Sequence, residues 1–286
     1  MLIKDYRAQF IRKLASIYDH MEAESFFYLI LEHKHQLRRV DLAMHPDVIF
    51  SEKEIQDWDA ILYQLQVQIP IQYLLGTAHF YGLTFEVNKN VLIPRPETEE
   101  LVALIIADNP ASDKISILDI GTGSGCIAIT LAKNLPNSTV YAIDISEAAL
   151  AMAKRNAALN DTSVHFMLLD ILSVKDLKQT FDIIVSNPPY VRELEKSDIR
   201  KNVLDNEPHL ALFVADHDAL LFYRTIARLA QKNLSPNGSL YFEINQYLGT
   251  EMTALLEEMG FENIALRKDL YGNDRMISAV WNSAHS

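Results

Sequence analysis

Short apolar runs alternate with helical patterns from about residue 112 to the end of the chain, and this alternation constrains the fold more than any other feature. The apolar runs cover residues 115–120, 139–145, 164–169, 181–185, 239–244, 264–267 and 276–280. Strands that alternate with helices form a parallel sheet covered on both faces, so an α/β domain is predicted. The last two runs are joined by Gly272, Asn273 and Asp274 rather than by a helix, which predicts an antiparallel pair at the end of the sheet.

The first 75 residues have a different pattern, in which apolar positions recur at helical spacing. The apolar stripe consists of Phe10, Leu14, Ile17, Met21, Phe26, Phe27, Leu29 and Ile30. Ser51 and Glu54 match a capping box, which predicts the start of a helix that runs to Leu65. We therefore predict a small helical domain over residues 1–75, with the apolar stripe in its core.

Residues 76–94 change character again, because apolar residues alternate with polar ones between glycines. This pattern predicts a β-hairpin linker over residues 76–94, followed by the larger domain over residues 95–286. Pro94 and Pro96 stiffen the chain and hold Arg95 in an extended conformation. Because Pro96 also suits a first helical turn, the next helix is predicted over residues 98–106.

Composition and charge exclude several classes of protein. The net charge is −12, with 26 Lys and Arg against 38 Asp and Glu, which would repel a nucleic acid over most of the surface. Cys126 is the only cysteine, so the chain can form neither an internal disulfide nor a cysteine-based zinc site, and no metal site is predicted. No apolar stretch approaches the roughly 18 residues of a membrane span, and no secretion signal is evident. We expect a monomeric cytoplasmic protein that binds neither membrane nor nucleic acid directly.

The first predicted strand of the larger domain runs into a glycine-rich turn. The turn consists of Gly121, Thr122, Gly123, Ser124 and Gly125. Glycines let the backbone approach a ligand closely, and the helix that begins near Cys126 offers unpaired amide groups. We predict that these five residues bind a nucleotide-type cofactor. A plain tight turn is the alternative, because glycine also serves turns that bind nothing.

Acidic residues close the next two strands. Asp144 is placed to accept hydrogen bonds from ribose hydroxyls, with a solvated or capping role as the alternative. Asp170 is predicted to accept from the exocyclic amine of adenine, with Ile171 or Leu172 packing on the ring. Cys126 stands where a dinucleotide fingerprint has its third glycine, so the spacing favours S-adenosylmethionine over a nicotinamide dinucleotide.

Asn187, Pro188, Pro189 and Tyr190 follow the fourth predicted strand, at the edge where open parallel sheets bind their ligands. An amide nitrogen is a poor nucleophile that carries two N–H donors. The side-chain oxygen of Asn187 and the carbonyl oxygen of Pro188 are predicted to accept both hydrogens and to orient the lone pair toward a sulfonium methyl group, while Tyr190 packs against the planar group. We therefore predict catalysis of methyl transfer to a planar nitrogen by this string, although the string does not distinguish glutamine from adenine or cytosine.

These motifs together resemble the HemK/PrmC family, the protein-glutamine methyltransferases of class I peptide chain release factors. The resemblance runs nearly end to end, over residues 72–76, 80–82, 93–99, 119–125, 187–190, 207–208, 211–212, 222–223, 269–270, 272 and 274–275. Its most specific parts are the string from Pro94 to Glu99 and the string from Asn187 to Tyr190.

The resemblance implies a class I S-adenosylmethionine-dependent methyltransferase domain with a Rossmann-like seven-stranded sheet, a helical domain that recognises the release factor, and a hairpin linker. It implies methylation of the side-chain amide nitrogen of glutamine in the Gly-Gly-Gln motif, with S-adenosylhomocysteine as product, in support of translation termination. By residue, it implies that Gly121 to Gly125 and Asp144 bind the cofactor. Asn187 would contact both cofactor and substrate, and Pro188 to Tyr190 would line the glutamine pocket.

The chain departs from the family pattern after Ile244, where Asn245 stands in place of the usual glycine, so the role of this loop is left open. A methyltransferase for a glutamine of a ribosomal protein shares the catalytic string and is the nearest alternative. An adenine-N6 methyltransferase is disfavoured by the charge of −12 and by the lack of a basic stripe. A catalytically silent cofactor-binding protein is disfavoured because the string 187–190 is intact.

Overall fold

A computed structural model of the protein describes residues 1–110 and 114–282. The chain divides into two compact units. The helical unit comprises Met1–Gly76 with Arg200–Asn206, and the sheet unit comprises Thr77–Ile199 with Glu207–Ser286. Residues 111–113 and 283–286, which fall within the larger predicted domain, lie outside the described residues. The hairpin thus belongs to the sheet unit, and a short segment far along the chain belongs to the helical unit.

The helices are, in chain order, α1 (Ile3–Leu14), α2 (His20–His35), α3 (Arg39–Met44), α4 (Glu52–Gln66), α5 (Ile71–Leu75), α6 (Pro96–Asp108), α7 (Cys126–Asn134), α8 (Glu147–Leu159), α9 (Lys201–Asn206), α10 (His209–Leu212), α11 (Leu221–Asn233) and α12 (Gly249–Glu258). Two 3₁₀ segments cover Glu193–Asp198 and Asp216–Asp218. Within the described part of the chain, no helix combines the length and the apolar content needed to cross a membrane.

The strands are β1 (Thr77–Phe80), β2 (Leu83–Glu86), β3 (Ser116–Ile120), β4 (Thr139–Asp144), β5 (Val164–Leu168), β6 (Phe181–Ser186), β7 (Val191–Arg192), β8 (Phe213–Val214), β9 (Leu234–Glu243), β10 (Glu262–Lys268) and β11 (Asp274–Trp281). β1 and β2 form the predicted antiparallel hairpin, in which Phe80 lies opposite Leu83. β7 and β8 form a separate two-stranded parallel sheet.

The helical unit packs around Trp58, which is fully buried. Its ring lies 4.9 to 5.9 Å, between centroids, from the rings of Phe10, Phe27 and Phe50. The indole Nε1–H donates to His35 Nε2 at 3.0 Å, so the polar atom of this buried ring is paired. Aromatic contacts of this geometry combine a large buried apolar area with a defined orientation, which gives the small unit its core.

The predicted capping box is present at the start of α4. The Ser51 N–H donates to Glu54 Oε2 at 2.7 Å, and the Glu54 N–H donates to Ser51 Oγ at 3.3 Å. Two donors that the helix itself cannot satisfy are therefore paired at its first turn, as the sequence pattern indicates.

The apolar stripe lies only partly in the core, contrary to the prediction. Ile17 is 37% exposed, Met21 81% and Leu29 41%, whereas Phe10 and Phe27 are fully buried. α1 ends at residue 14 and α2 begins at residue 20, so each helix sets its own rotation and the helical spacing does not continue across the break.

The sheet unit contains a seven-stranded sheet in the order β10-β11-β9-β6-β3-β4-β5. Four neighbouring pairs of strands are parallel, namely β9–β6, β6–β3, β3–β4 and β4–β5. β11 pairs antiparallel with both β9 and β10. The predicted parallel sheet and the predicted antiparallel pair at its end are both confirmed, and β11 lies between β9 and the edge strand β10.

Helices cover both faces of this sheet. Alternate residues of each strand point to opposite faces, so each face has its own core residues. On one face, α11 and α12 contribute Tyr223 and Met252 to the core. On the other face, α6 and α7 contribute Leu101 and Ile129, and the hairpin adds Phe85. The hairpin is therefore packed into the core of the sheet unit.

The register of the central strands brings distant residues together at one edge of the sheet. Ser186 of β6 is paired with Ile120 of β3 on one side and with Phe242 of β9 on the other. The next residues along β6 and β9, which are Asn187 and Glu243, consequently emerge beside each other. The site described below is built on this edge.

Candidate active site

A cavity of about 210 Å³ opens where the parallel strands end. The predicted site residues that line it are Gly121, Gly123, Asp144, Asp170, Ile171, Asn187, Pro188 and Pro189. The predicted site residues that do not line it are Thr122, Ser124, Gly125 and Tyr190. Segments that follow β3, β4, β5 and β6 thus meet around one cavity, which is the arrangement expected at the carboxyl ends of parallel strands.

The glycines of the turn between β3 and α7 have two different roles. Gly121 and Gly123 line the cavity with φ of +76° and +55°, a backbone conformation that favours glycine. Gly125 has φ +85°, and a Cβ there would lie 2.7 Å from Ile129 Cδ1 and 3.1 Å from Ala153 Cβ. The first two glycines therefore expose backbone to the cavity, whereas the third allows α7 to pack closely against α8.

Thr122 and Ser124 hold the shape of the turn from behind the cavity. The Thr122 hydroxyl donates to Oδ2 of the fully buried Asp119 at 2.6 Å. The Ser124 carbonyl accepts from Asn156 Nδ2 at 2.9 Å. Burial raises the pKa of Asp119 to about 7, and the hydrogen bond from Thr122 opposes that rise. These contacts are internal to the protein, so the two residues support the turn through its neighbours.

Asp144 is held by the backbone on both sides of its carboxylate. Its Oδ2 accepts from the Gly123 N–H and its Oδ1 from the Ser146 N–H, both at 2.8 Å. Asp144, which is predicted to bind the ribose, thus also caps the chain locally. The two roles are compatible because each carboxylate oxygen can accept more than one hydrogen bond.

Asp170 and Ile171 lie in the segment after β5 and line the cavity together with Leu172. Asp170 Oδ1 accepts from the Leu172 N–H at 2.9 Å, and Oδ2 accepts from the Ser173 hydroxyl at 2.8 Å. These local bonds fix the turn, and the two aliphatic side chains supply apolar surface to this part of the cavity.

Asn187 belongs to a chain of hydrogen bonds that the sequence did not indicate. Its Nδ2–H donates to Thr98 Oγ1 at 3.2 Å, and the Thr98 hydroxyl donates to Glu243 Oε2 at 2.6 Å. The other carboxylate oxygen, Oε1, accepts from the Tyr190 hydroxyl at 3.0 Å. Thr98 and Glu243 are 3% and 1% exposed, so this polar chain is buried. The two ends of the asparagine string are thereby tied to one carboxylate.

Tyr190 is half-buried and packs against the core on the α11 side of the sheet, and it does not line the cavity. Burial and the nearby Glu243 carboxylate raise the pKa of its phenol well above the ordinary value. Its backbone carbonyl accepts from Asn245 Nδ2 at 3.0 Å. Tyr190 is thus a neutral hydrogen-bond donor to Glu243, and its packing against a substrate stays a prediction.

Glu243 is a buried acid at the end of β9. Burial raises its pKa above the ordinary value, whereas the hydrogen bonds from Thr98 and Tyr190 and the positive charge of Arg275 oppose that rise. Arg275 Nε in turn donates to Asp269 Oδ2 at 3.2 Å. The carboxylate is therefore compensated by two hydroxyl donors and a nearby guanidinium.

Glu207 is a further buried acid of the site region, and it fixes the segment before α6. Its Oε1 accepts from Arg95 at 2.5 Å and its Oε2 accepts from the Ile93 N–H at 3.2 Å. Arg95 has φ −109° and ψ 148°, which confirms the predicted extended conformation. The neighbouring Pro208 lines the cavity, so this ion pair connects the chain before α6 to the cavity wall.

Asn245, the departure from the family pattern, has a structural role. It is 5% exposed, and its Nδ2 donates both to the Tyr190 carbonyl and to Glu195 Oε2, the latter at 2.9 Å. Its Oδ1 accepts from the Tyr247 N–H at 3.0 Å. The side chain thus ties the segment after the asparagine string to the end of β9.

Sequence reasoning missed Thr98 and Glu243 as residues of the site. Thr98 entered as part of a helix start and of the family string from Pro94 to Glu99, and Glu243 entered only as part of the predicted strand 239–244. A single acid at the end of the otherwise apolar run 240–244 was the signal available for Glu243. Nothing local marks Thr98, because its partner lies 145 residues away along the chain.

Two protein families match the chain: the PrmC N-terminal domain over residues 5–76 and the Methyltransferase small domain over residues 99–210. A curated protein of Flavobacterium psychrophilum, described as a release factor glutamine methyltransferase, is 61% identical over 280 residues, which cover 97% of this chain and 98% of that protein. A protein of the same description from Bacteroides thetaiotaomicron is 47% identical, with 94% of this chain and 96% of that protein covered.

Among solved structures, a 16S rRNA N2 G1207 methyltransferase of Thermus thermophilus, in complex with AdoMet and guanosine, is similar in fold. The similarity has a TM-score of 0.52 at 18% identity and covers 72% of this chain and 50% of that one. At this identity the likeness concerns the fold alone.

Proposed function

This chain belongs to the family of release factor glutamine methyltransferases, and from that premise we propose its reaction, its substrate and the roles of its residues. It transfers a methyl group from S-adenosylmethionine to the side-chain amide nitrogen of the glutamine in the Gly-Gly-Gln motif of class I peptide chain release factors. The observation that carries the proposal is that Asn187 and Pro188 line the same cavity as Gly121 and Asp144.

The residues around the cavity suit S-adenosylmethionine. Gly121 and Gly123 present backbone without a side chain, and the Asp144 oxygens retain capacity to accept from ribose hydroxyls. Ile171 and the neighbouring Leu172 offer apolar surface to an adenine ring, beside Asp170 as an acceptor for its amine. When bound, S-adenosylmethionine supplies a methyl group on a positively charged sulfur, whose C–S bond breaks as the new C–N bond forms.

Asn187 and Pro188 orient the substrate nitrogen. The Asn187 Oδ1 and the Pro188 carbonyl each accept one N–H of the glutamine amide, so that the nitrogen lone pair is directed at the methyl group. Pro189 stiffens the loop, since a proline ring fixes its own φ. The proton can leave the nitrogen after transfer, and the mechanism therefore requires no general base beside it.

The two acceptors also select the substrate. A carboxylate would be repelled by both acceptors, and a hydroxyl would leave one of them without a donor. An amide matches both. The site therefore distinguishes glutamine from glutamate by hydrogen bonding, because the two side chains are nearly equal in size.

The helical unit is proposed to recognise the release factor, and the reaction to take place in the cytoplasm, where translation termination occurs. The net charge of −12 fits a protein substrate better than direct contact with nucleic acid. The Gly121 to Gly125 turn, including Thr122 and Ser124 from behind, is proposed to hold the cofactor in place while the substrate glutamine enters.

Methyl transfer from labelled S-adenosylmethionine to a purified class I release factor tests the proposal directly. We expect label on the wild-type factor and none on its Gln→Ala variant in the Gly-Gly-Gln motif. Duplex DNA and purified ribosomal proteins serve as parallel acceptors. Label on ribosomal protein alone would assign the chain to the nearest alternative, and label on DNA would overturn the glutamine assignment.

A further inference from the structure

We propose that Thr98 and Glu243 are positioning residues for this reaction, because together they fix the side-chain amide of Asn187 with its oxygen toward the substrate. The inference rests on the proposed function of Asn187 and deepens it. Neither Thr98 nor Glu243 lines the cavity, so both act through Asn187 and not by contact with the substrate.

The direction of the hydrogen bonds starts at Glu243. An ionised carboxylate has acceptors only, so the Thr98 and Tyr190 hydroxyls must both donate to it. The distance of 2.6 Å between Thr98 Oγ1 and Glu243 Oε2 is that of a charge-assisted O–H···O⁻ bond. Burial raises the pKa of Glu243, and the hydrogen bonds from these two hydroxyls and the charge of Arg275 oppose that rise.

This direction leaves Thr98 with only lone pairs for Asn187. A threonine hydroxyl has one hydrogen, and here that hydrogen is committed to Glu243. The atom of Asn187 that faces Thr98 must therefore be a donor, which is Nδ2, at 3.2 Å. Because the two heteroatoms of a planar amide lie on opposite sides of it, Oδ1 is directed away from Thr98.

The orientation matters because the substrate group is itself an amide nitrogen with two N–H donors. If the Asn187 amide were flipped, its own N–H groups would meet those of the substrate, and neither would find an acceptor. Thr98 and Glu243 thus exclude the unproductive orientation before the substrate arrives. The site is therefore preorganised, because the Asn187 amide does not have to reorient during the reaction.

The hydrogen bonds from Asn187 to Thr98 and from Thr98 to Glu243 form a relay, and regular structure holds its parts in place. Thr98 lies in the first turn of α6, which begins at Pro96, and Glu243 is the last residue of β9. The Glu243 carbonyl accepts from the Tyr223 hydroxyl at 3.2 Å, and β9 lies beside β6, the strand that ends just before Asn187. Elements rather than mobile loops therefore set the geometry.

The test compares Thr98→Val, Thr98→Ala and Thr98→Ser. The first two remove the hydroxyl, and we expect kcat to fall about 10- to 100-fold while KM for the release factor and the Kd of S-adenosylmethionine stay within about threefold. Serine restores the hydroxyl and should return kcat to within about threefold of wild type. Thr130→Val is the matched control, since Thr130 is fully buried and, among the described residues, its Oγ1 has no hydrogen-bond partner; its kcat should equal that of wild type.

A double-mutant cycle with Asn187→Ala separates positioning from a general structural effect. If Thr98 acts through Asn187, the Thr98→Val/Asn187→Ala protein should be no slower than Asn187→Ala alone. Additive losses, unchanged kcat in both hydroxyl-free variants, or unfolding of both would overturn the relay. Full activity of Asn187→Ala itself would instead remove the proposed function, so the two failures are distinguishable.

Discussion

Asn187 supplies the only side-chain acceptor in the proposed contact with the substrate amide. Its replacement by alanine leaves the Pro188 carbonyl as the single acceptor, so we expect kcat to fall about 100-fold. The melting temperature should not change, and the Kd of S-adenosylmethionine should rise by no more than about threefold, as measured by single-turnover transfer, thermal melting and calorimetry. Asn109→Ala is the control, since Asn109 Nδ2 donates to the Ile105 carbonyl at the end of α6 and Asn109 does not line the cavity.

Asp119 gives the stability of the protein a pH dependence. Its pKa rises from an ordinary 3.8 to about 7 through burial, so the folded protein favours the neutral acid. The stabilisation is fully present below about pH 4 and is lost as the pH rises through 7. Over that window, the free energy of unfolding should fall by about 1.4 kcal/mol per pH unit relative to Asp119→Asn. Urea unfolding of both proteins at several pH values measures this; parallel pH profiles would contradict it.

The sequence predicts individual residues well where a local rule applies. Asp144 and Asn187 could be assigned to one cavity because each ends a strand of a parallel sheet, and parallel strands end at a common edge. Thr98 and Glu243 obey no such rule. Their contact depends on the register between β6 and β9 and on the packing of α6, which local spacing does not encode.

At the scale of elements, Gly125 of the glycine-rich turn is constrained both by close packing and by its backbone conformation. Gly125→Ala should lower the free energy of unfolding by about 2–4 kcal/mol, because the added methyl group meets α8 through Ala153 and the backbone is in the left-handed region. Gly272→Ala is the matched control, with φ +86° but no atom of the described residues within 4 Å of the added atom, and should cost about 1–2 kcal/mol. Urea denaturation compares the two; equal losses would mean that close packing does not explain Gly125.

Element boundaries depart from the pattern where strands are irregular. The run 239–244 predicted a strand of six residues, whereas β9 covers Leu234–Glu243. The extra residues include Pro236 and Gly238, which normally indicate a turn, and the pairing of β9 with β6 shifts register in this stretch. α6 likewise begins at Pro96 rather than Thr98, because proline occupies its first helical position.

At the scale of the molecule, the division of labour between the two units is testable. Removing residues 1–76 deletes most of the helical unit and leaves the sheet unit, which contains every residue that lines the cavity. We expect the shortened protein to bind S-adenosylmethionine but to lose about 10-fold or more in kcat/KM on an intact release factor, because remote binding energy is lost. A short Gly-Gly-Gln peptide is the control substrate and should be methylated at the rate of the full chain. Equal losses on both substrates would contradict a recognition role.

The sequence predicts only part of the division of the chain into two units. The pattern change near residue 76 is visible in the sequence, and the first segment of the helical unit ends at Gly76. The membership of Arg200–Asn206 in the same unit is not visible, because a helix of six residues carries too little periodicity to reveal which core it joins.

That short segment has a consequence for how the protein is made. The helical unit begins to leave the ribosome first, but its last piece is synthesised about 130 residues after Gly76. At ordinary translation rates this delay is roughly 6–26 s, during which the nascent helices exist without α9. The strands β3 to β6 emerge within the same interval, so the order of synthesis interleaves the two units, and the first one to appear is completed only while the second is being assembled.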